Sequence, residues 1–321
     1  MNPKITLIMT SYNQLDLLKP ALQSALAQTV RFPDILIIDD ASTDSSVEWL
    51  NDMAEKHSNI TLLVNDENLG RSATRNRAMS VAQGEYFGFL DGDDLLEPDA
   101  HECWLELLDG AQPDLVVFNT LVFDTRTGEE ISMGSPTDYP KFEGLDVPEP
   151  HTDEEIALLL QYLPAHWTKL HRAAFVRDNN LFFKFPVYED IWVHVCELTL
   201  AKSVRCTPRR LIRYRKHPNG ILSTQSKLHA YALDVHSELD KFLTRTATHR
   251  PEMHKVFRAF AVRHLLRIAL THNRIPDDHL KEFASRILEL PWLGKVELTE
   301  DYNDLLDQLR CIGAGMTTAG S

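Results

Sequence analysis

Asp91, Asp93 and Asp94 follow directly on the apolar run 86–90 in the stretch YFGFLDGDD. A strand buried on both faces cannot hold a carboxylate in its middle, but its carboxyl end can open into a crevice where charge is hydrated or neutralised by a cation. Hard cations such as Mg²⁺ and Mn²⁺ prefer carboxylate oxygen and keep positions open to water and phosphate. By themselves the three residues fit either a cation–phosphate site or a solvated acidic turn ahead of a helix starting near Pro98. They do not fit an EF-hand calcium loop, because Leu96 stands where that loop requires glycine and the preceding element is a strand. A second acidic pair, Glu189 and Asp190, opens a predicted helix running to about Ala201, a place the helix dipole favours for carboxylates. A third cluster, Arg213, Arg215, Lys216 and His217, concentrates positive charge as a lid over a pyrophosphate would require.

The elements that must position these groups alternate between two periodicities. ITLIM (5–9), DILIID (34–39), ITLLV (60–64) and YFGFL (86–90) are short and apolar, as strands buried on both faces should be. Between the first two, Leu15, Leu18, Leu22, Ala25 and Leu26 keep the spacing of one apolar helical face. Ser45 and Glu48 form an S-x-x-E capping box, and Gly84 follows a helical pattern where a left-handed C-cap belongs. Strand alternating with helix implies a parallel sheet with right-handed crossovers, whose ligands bind at the carboxyl ends of the strands. TSYN, DDASTD, NDENLG and DGDD each follow one of the four strands. DLVVFNTLVFD (114–124) and TRTGEEI read as a further strand and turn, and the Pro- and Gly-bearing segment 134–152 as a loop over the site. From about residue 225 the apolar spacing is helical and punctuated by Pro251, Pro276 and Pro291, which predicts a compact helical appendage.

Composition limits the function classes. At 321 residues, 43% of them hydrophobic, the chain can bury one large core and a smaller appendage. No apolar run approaches the roughly 20 residues of a membrane span, and the first residues lack a basic segment ahead of an apolar one, so the expected location is the cytoplasm. Cys103, Cys196, Cys206 and Cys311 are far apart without CxxC spacing and are expected to be reduced thiols. A formal charge of −14 disfavours general attraction to nucleic acid or anionic lipid, so an anionic ligand needs a dedicated site.

TLIMTSYNQ, ILIIDDASTDSS, NLGRSATRNRAMSVAQGEYFGFLDGDD, HWTKLHRAAF, YEDIWV and YRKHPNGILS resemble, in that order, the motifs of family 2 glycosyltransferases with the GT-A fold. The resemblance spans about residues 4–224 and is specific because six separated motifs recur in sequence. It is closest in style to the bacterial enzymes that build capsule, exopolysaccharide, lipopolysaccharide and teichoic-acid glycans. It implies an α/β fold: a GT-A, Rossmann-like, mostly parallel sheet flanked by helices, followed by a C-terminal helical appendage. The implied domains are a catalytic domain at 1–224, a helical domain at 225–312 and a flexible tail at 313–321. Within the first, 1–94 would bind the nucleotide-sugar and 95–224 the acceptor. The implied activity is inverting transfer of a hexosyl or N-acetylhexosaminyl group from a UDP-sugar, with Mn²⁺ or Mg²⁺, to a hydroxyl of a glycan or lipid-linked glycan.

The resemblance also assigns roles. Tyr12 would lie against the uracil ring with Thr10 and Ser11 close to base and ribose. Asp40, less firmly Asp39, would accept the uracil N3 hydrogen, since an ionised carboxylate only accepts. Asn68 and Arg75 match positions that touch the nucleotide, and Arg75 at a helix start would add a fixed charge to the dipole. Asp91 would contact ribose, donor sugar or metal, while Asp93 would hold the cation with help from Asp94 or water. Trp167 and Lys169 would stand beside the sugar pocket, a core role for Trp167 being equally open. His217 matches a histidine that approaches diphosphate or metal, with Arg215 and Ser223 nearby, and Gly220 stands where the family commonly has serine. Asp190 would take the acceptor's proton and Glu189 would orient the acceptor or the helix. A helix N-terminus lowers carboxylate basicity, so burial or the neighbouring Glu189 must restore it.

Two other functions stay open. A sugar nucleotidyltransferase shares the sheet and the acidic ligands, but TSYNQ is not the Gly-rich, basic loop that grips a triphosphate. A catalytically silent glycan-binding or scaffold protein would keep the same fold. The helical region could bind acceptor, form a homo-oligomer or touch the membrane surface through Lys255, Arg258, Arg263, His264 and Arg267. A packed bundle with a solvated basic face is the simpler account of that pattern.

Overall fold

The computed structural model describes residues 4–125, 127–131, 152–160, 162, 164–216, 224–247 and 250–314. They divide into two units. The first takes Met1–His151, Ala165–Lys184 and Leu200–His217, and the second takes Thr152–Pro164, Phe185–Thr199 and Pro218–Ser321. The second unit therefore differs from a C-terminal appendage beginning at residue 225: it recruits two earlier segments, 152–164 and 185–199. Packing groups them with the helices regardless of chain order.

The first unit opens with β1 (Ile5–Ser11), α1 (Leu15–Leu26), β2 (Asp34–Asp39), α2 (Ser46–Lys56), β3 (Ile60–Val64), α3 (Arg71–Val81) and β4 (Tyr86–Asp91). It continues with β5 (Leu95–Leu96), α4 (Ala100–Leu108), β6 (Leu115–Asp124), β7 (Lys169–Arg172), α6 (Ala173–Asp178) and β8 (Val204–Lys216). The eight strands form one sheet in the order β3-β2-β1-β4-β7-β6-β8-β5. β3, β2, β1 and β4 run parallel. β7 is antiparallel to both β4 and β6. The chain order reverses on either side of β1, which leaves a crevice at the carboxyl ends of β1 and β4. Ile5, Leu7, Ile8 and Met9 are wholly buried at the sheet's centre, as are Ile35, Ile37 and Ile38 beside them.

Three local expectations are corrected. β3 is half-exposed and not buried on both faces, because it is the edge of the sheet and only β2 pairs with it. Ser45 makes no side-chain cap on α2. Asp44 does that work, its Oδ1 accepting the Ser46 N–H at 2.9 Å. Gly84 is not a left-handed C-cap, being absent from the residues of positive φ. A Cβ there would lie 2.4 Å from the Tyr86 carbonyl and 2.7 Å from the Thr6 amide, so glycine is demanded by the close approach of two backbones.

The second unit holds α5 (Asp153–Leu159), α7 (Glu189–Leu200), α8 (Tyr231–Thr246), α9 (Pro251–Leu266), α10 (Asp277–Leu288) and α11 (Glu300–Gly313). α9 packs on α5 and α8, and α10 on α11. The buried faces of the two packed helices are apolar, with Leu233, Leu239 and Leu243 on α8 and Met253, Phe257 and Leu265 on α9. The basic residues of α9 do not form one solvated face. His264 is half-buried with its ring stacked on Phe260, centroids 5.9 Å apart, Arg258 pairs with Asp240 at 2.7 Å, and Arg267 just beyond α9 lies over the Tyr302 ring at 5.7 Å. Among the described residues no helix is long and apolar enough to cross a membrane. The segment 134–151 and the tail from residue 315 lie outside the described residues.

Candidate active site

Strand pairing brings the polar ends of three strands together. Thr10 on β1 stands opposite Asp91 on β4, and Ser11 stands opposite Asp39 on β2. Tyr12, the next residue, is 44% exposed, an open aromatic face at the rim of the crevice. The Ser11 side chain is buried and its Oγ has no hydrogen-bond partner among the described residues. A buried hydroxyl without a partner is costly and marks a place where a ligand group is wanted.

The loops behind these strand ends are built from side chain to backbone contacts. Asn13 has a left-handed backbone, φ 48°, and its Oδ1 accepts the Thr43 and Asp44 amides at 2.7 and 3.2 Å. That contact ties the loop after β1 to the loop after β2. Asp39 accepts from the Ser42 amide and hydroxyl at 2.7 and 2.8 Å. Asp40, nearly buried, accepts Asn65 Nδ2 at 2.6 Å and the Leu69 and Gly70 amides at 2.9 Å each. It thus fastens the turn that leads into α3. Asn68 lies in that turn, exposed, with its Oδ1 accepting the Gly70 amide at 3.1 Å.

The acidic turn after β4 is shaped by Gly92. A Cβ at that position would lie 2.2 Å from Gln14 Nε2 and 3.1 Å from the Thr10 carbonyl oxygen, so the turn sits close against β1 and a side chain there would displace the Gln14 amide. Asp91, Asp93 and Asp94 then offer carboxylate oxygens within 4.8 Å of one another. Their environments differ. Burial alone would raise the Asp91 carboxyl, but Arg75 and then His166 overturn that and hold it well below the usual carboxylate range. Arg75 Nη2 is 3.0 and 3.2 Å from the two oxygens, and His166 Nε2 is 3.4 Å from one of them. Asp94 is the opposite case. Burial, followed by the charges of Asp93 and Asp91, pushes it well above the ordinary value. Its Oδ1 accepts the Arg215 amide at 2.9 Å, while its Oδ2 has no hydrogen-bond partner among the described residues.

These features fit a divalent cation. Three clustered carboxylates, one with an orphaned buried oxygen and a charge destabilised by its neighbours, form a hard, all-oxygen donor set that a cation would neutralise. Asp91 and Asp93 are half-exposed, and Asp94 is buried.

Residues 6–184, more than half of the chain, match the family model described as glycosyl transferase family 2. The chain is a family 2 glycosyltransferase. Among its relatives, EpsH of Bacillus subtilis is 28% identical over 248 residues, 75% of this chain and 69% of EpsH. The poly(ribitol-phosphate) beta-glucosyltransferase of Bacillus spizizenii is 35% identical over 117 residues, 36% of this chain and 18% of that protein. The crystal structure of S. aureus TarS 1-349 in complex with UDP-GlcNAc superposes with a TM-score of 0.69 at 17% identity, covering 98% of this chain and 93% of that one. At that identity the likeness establishes the shared fold.

Within this glycosyltransferase the expected site residues are not all placed as their positions in the sequence suggest. Thr10, Ser11, Tyr12, Asp39 and Asp91 meet at the strand ends, with Asp93 and Asp94 in the adjoining turn. Arg75 is in the second turn of α3, buried, with its guanidinium on Asp91 and over the Phe183 ring at 5.4 Å. Arg215 is not an open lid residue: its Nε donates to the Asp93 carbonyl and its Nη2 to the Leu17 carbonyl at 2.7 Å. It braces the backbone of the acidic turn. Arg213 pairs with Glu97. Trp167 is buried and stacks on Tyr214, centroids 5.2 Å apart, and Lys169 Nζ donates to the Ala165 carbonyl at 2.8 Å. Glu189 and Asp190 form the first turn of α7 in the second unit, Glu189 buried and Asp190 half-buried. His217, Gly220 and Ser223 lie outside the described residues.

Sequence reasoning missed His166, Asn13 and Asn65. His166 is adjacent to Trp167 in HWTKL, yet a histidine beside an aromatic carries no pattern of its own. Its contact with Asp91 becomes visible only once the sheet places the two together.

Proposed function

We propose that this glycosyltransferase moves a hexosyl or N-acetylhexosaminyl group from a UDP-sugar to a hydroxyl of a bacterial surface glycan, with inversion and with Mn²⁺ or Mg²⁺. The observation that carries the reading is the contrast within the acidic turn: Asp91 is neutralised by Arg75, while buried Asp94 has one oxygen without a hydrogen-bond partner among the described residues. Such a site calls for a cation, which would offset the charge of a diphosphate leaving group. Solved TarS complexes with UDP and UDP-GlcNAc share the fold, and a poly(ribitol-phosphate) beta-glucosyltransferase shares part of the sequence, which supports the donor and the acceptor class. A site of work at the cytoplasmic face of the membrane, where acceptor lipids are met, completes the proposal.

The chain's own residues divide the task. The exposed Tyr12 ring offers a stacking face to uracil. Asp40 has used three acceptor positions on the chain and retains capacity on Oδ2 for the uracil N3 hydrogen. Thr10 and Ser11 offer hydroxyls for ribose. Asp93, with Asp94 and Asp91, would hold the cation, to which His217 is the further proposed ligand. When bound, that cation supplies charge to offset the negative charge that develops on departing UDP. Asp190 accepts the proton of the acceptor hydroxyl as its oxygen bonds to the anomeric carbon and the bond from that carbon to the phosphate oxygen breaks. Glu189 orients the acceptor or the helix.

A panel of UDP-sugars with Mn²⁺, scored by UDP release with and without oligosaccharide acceptors, tests the reading. Acceptor-dependent release of UDP, its loss in EDTA and loss of most activity in Asp93→Asn are the expected results. UDP binding with no turnover on any donor and acceptor would instead identify a silent glycan-binding protein.

A further inference from the structure

Tyr188, the residue immediately before α7, has a left-handed backbone with φ 60°. For a bulky side chain that conformation is an outlier, and it persists where the surroundings over-determine it. Here they do. The Tyr188 carbonyl accepts the Ile191 amide at 3.1 Å, closing the turn that contains Glu189 and Asp190. The ring packs edge-on to His264, centroids 4.9 Å apart, and His264 is in turn 2.9 Å from His236 Nε2 through its Nδ1. The hydroxyl is 2.8 Å from His229 Nδ1 and 3.4 Å from Arg274 Nη1.

The direction of the Tyr188 to His229 bond follows from the other side of the imidazole. His229 Nε2 is 2.9 Å from the Thr224 carbonyl. A carbonyl only accepts, so Nε2 carries the hydrogen and Nδ1 of the neutral ring is the acceptor. Tyr188 therefore donates its O–H to Nδ1 and receives the Arg274 N–H on a lone pair. His229 is wholly buried and Tyr188 nearly so. Burial, partly countered by Arg274, pushes the phenol above its ordinary value and keeps the proton in place.

We propose that Tyr188 is a positioning residue for sugar transfer: its hydroxyl, anchored on His229, fixes the first turn of α7 and so the directions of the Glu189 and Asp190 carboxylates. This rests on the reading of Asp190 as the base. The left-handed residue is the pivot at which the chain enters the helix, and the hydrogen bond to His229 prevents it from relaxing to an ordinary φ. Relaxation would swing the first turn, and a displacement of about 1 Å in a reacting group costs about 10²-fold in rate.

Tyr188→Phe removes the hydroxyl and keeps the ring on His264. The expected result is a fall in kcat of about 10- to 100-fold, with donor KM and UDP affinity within about twofold of wild type. Amide exchange should speed up at residues 189–192 while α8 and α9 exchange as before. His229→Gln, whose amide oxygen can accept the phenol proton, should retain more kcat than His229→Leu. Unchanged kcat and exchange in Tyr188→Phe would overturn the proposal, as would a parallel loss of UDP affinity and protection throughout the unit. If Tyr188→Phe does not fold, the two His229 variants decide, equal kcat counting against the idea. Exchange at 189–192 is read without turnover, so failure of the Asp190 assignment and failure of the positioning role are told apart.

Discussion

Arg75 Nη2 stands 3.0 Å from one carboxylate oxygen of Asp91 and 3.2 Å from the other, with 2% of the arginine side chain exposed. This ion pair sets the division of labour among three aspartates that look alike in the sequence. It satisfies Asp91 from within the protein, while Asp94 stays buried with one oxygen lacking a hydrogen-bond partner among the described residues.

Arg75→Met keeps much of the volume but leaves Asp91 without its main partner. Breaking a buried pair from one side costs about 3 to 5 kcal/mol, and the 22% exposure of the Asp91 side chain puts the expected loss at or below the low end of that range. The pH dependence has a fixed sign. The Asp91 carboxyl is depressed in the folded state, so its contribution is fully present above the unfolded value of about 3.9 and is lost as pH falls below it. Urea midpoints of wild type and variant should differ at pH 7 and converge toward pH 3.

Asp94 titrates in the opposite sense. Its folded carboxyl is raised by burial and by Asp93 and Asp91, so the folded state binds the proton more tightly than the unfolded chain. In EDTA the protein should lose stability as pH rises from about 4 through that raised value. Asp94→Asn can still accept the Arg215 amide and carries no charge. The variant should melt higher in EDTA at pH 7, by about 2 to 4 °C for each kcal/mol recovered, and should gain less from Mn²⁺. An equal gain from Mn²⁺ in both proteins would remove Asp94 from the ligand set.

Asp40→Ala deletes the acceptor of Asn65 Nδ2 and of two loop amides. A loss of about 1 to 3 kcal/mol in stability is expected from the groups left without partners. Calorimetry should also show weaker UDP binding, since the turn into α3 loosens and the uracil donor loses its acceptor. Lower stability with unchanged UDP affinity would confine Asp40 to the loop.

Asp190→Asn is nearly isosteric and cannot take the acceptor's proton. Transfer should fall by about 10² to 10⁴-fold, the usual contribution of a positioned base, while UDP-sugar binding measured by calorimetry in Mn²⁺ is retained. Glu189→Gln should do less chemical damage. Near wild-type transfer by Asp190→Asn would place the base elsewhere.

Much of this architecture is legible in short windows of sequence. The apolar runs 5–9, 34–39 and 86–90 are strands in the structure, and the polar ends TSYN and DGDD fall at the carboxyl ends of β1 and β4. Strand and helix periodicity is a property of a few consecutive residues, and a parallel sheet of alternating elements allows few topologies, so fold and crevice follow from pattern alone. The charge states at the crevice do not. Asp91 meets Arg75 from 16 positions away and His166 from far downstream, and Arg215 turns inward to brace the acidic turn instead of facing a lid. Tyr188 reaches His229 across 41 positions. Which carboxylate is neutralised, which cation is spent on backbone carbonyls and which helix belongs to which unit depend on desolvation and on partners brought together by packing. Those energies arise only when distant segments share one dry environment, and for that reason tertiary structure decides them.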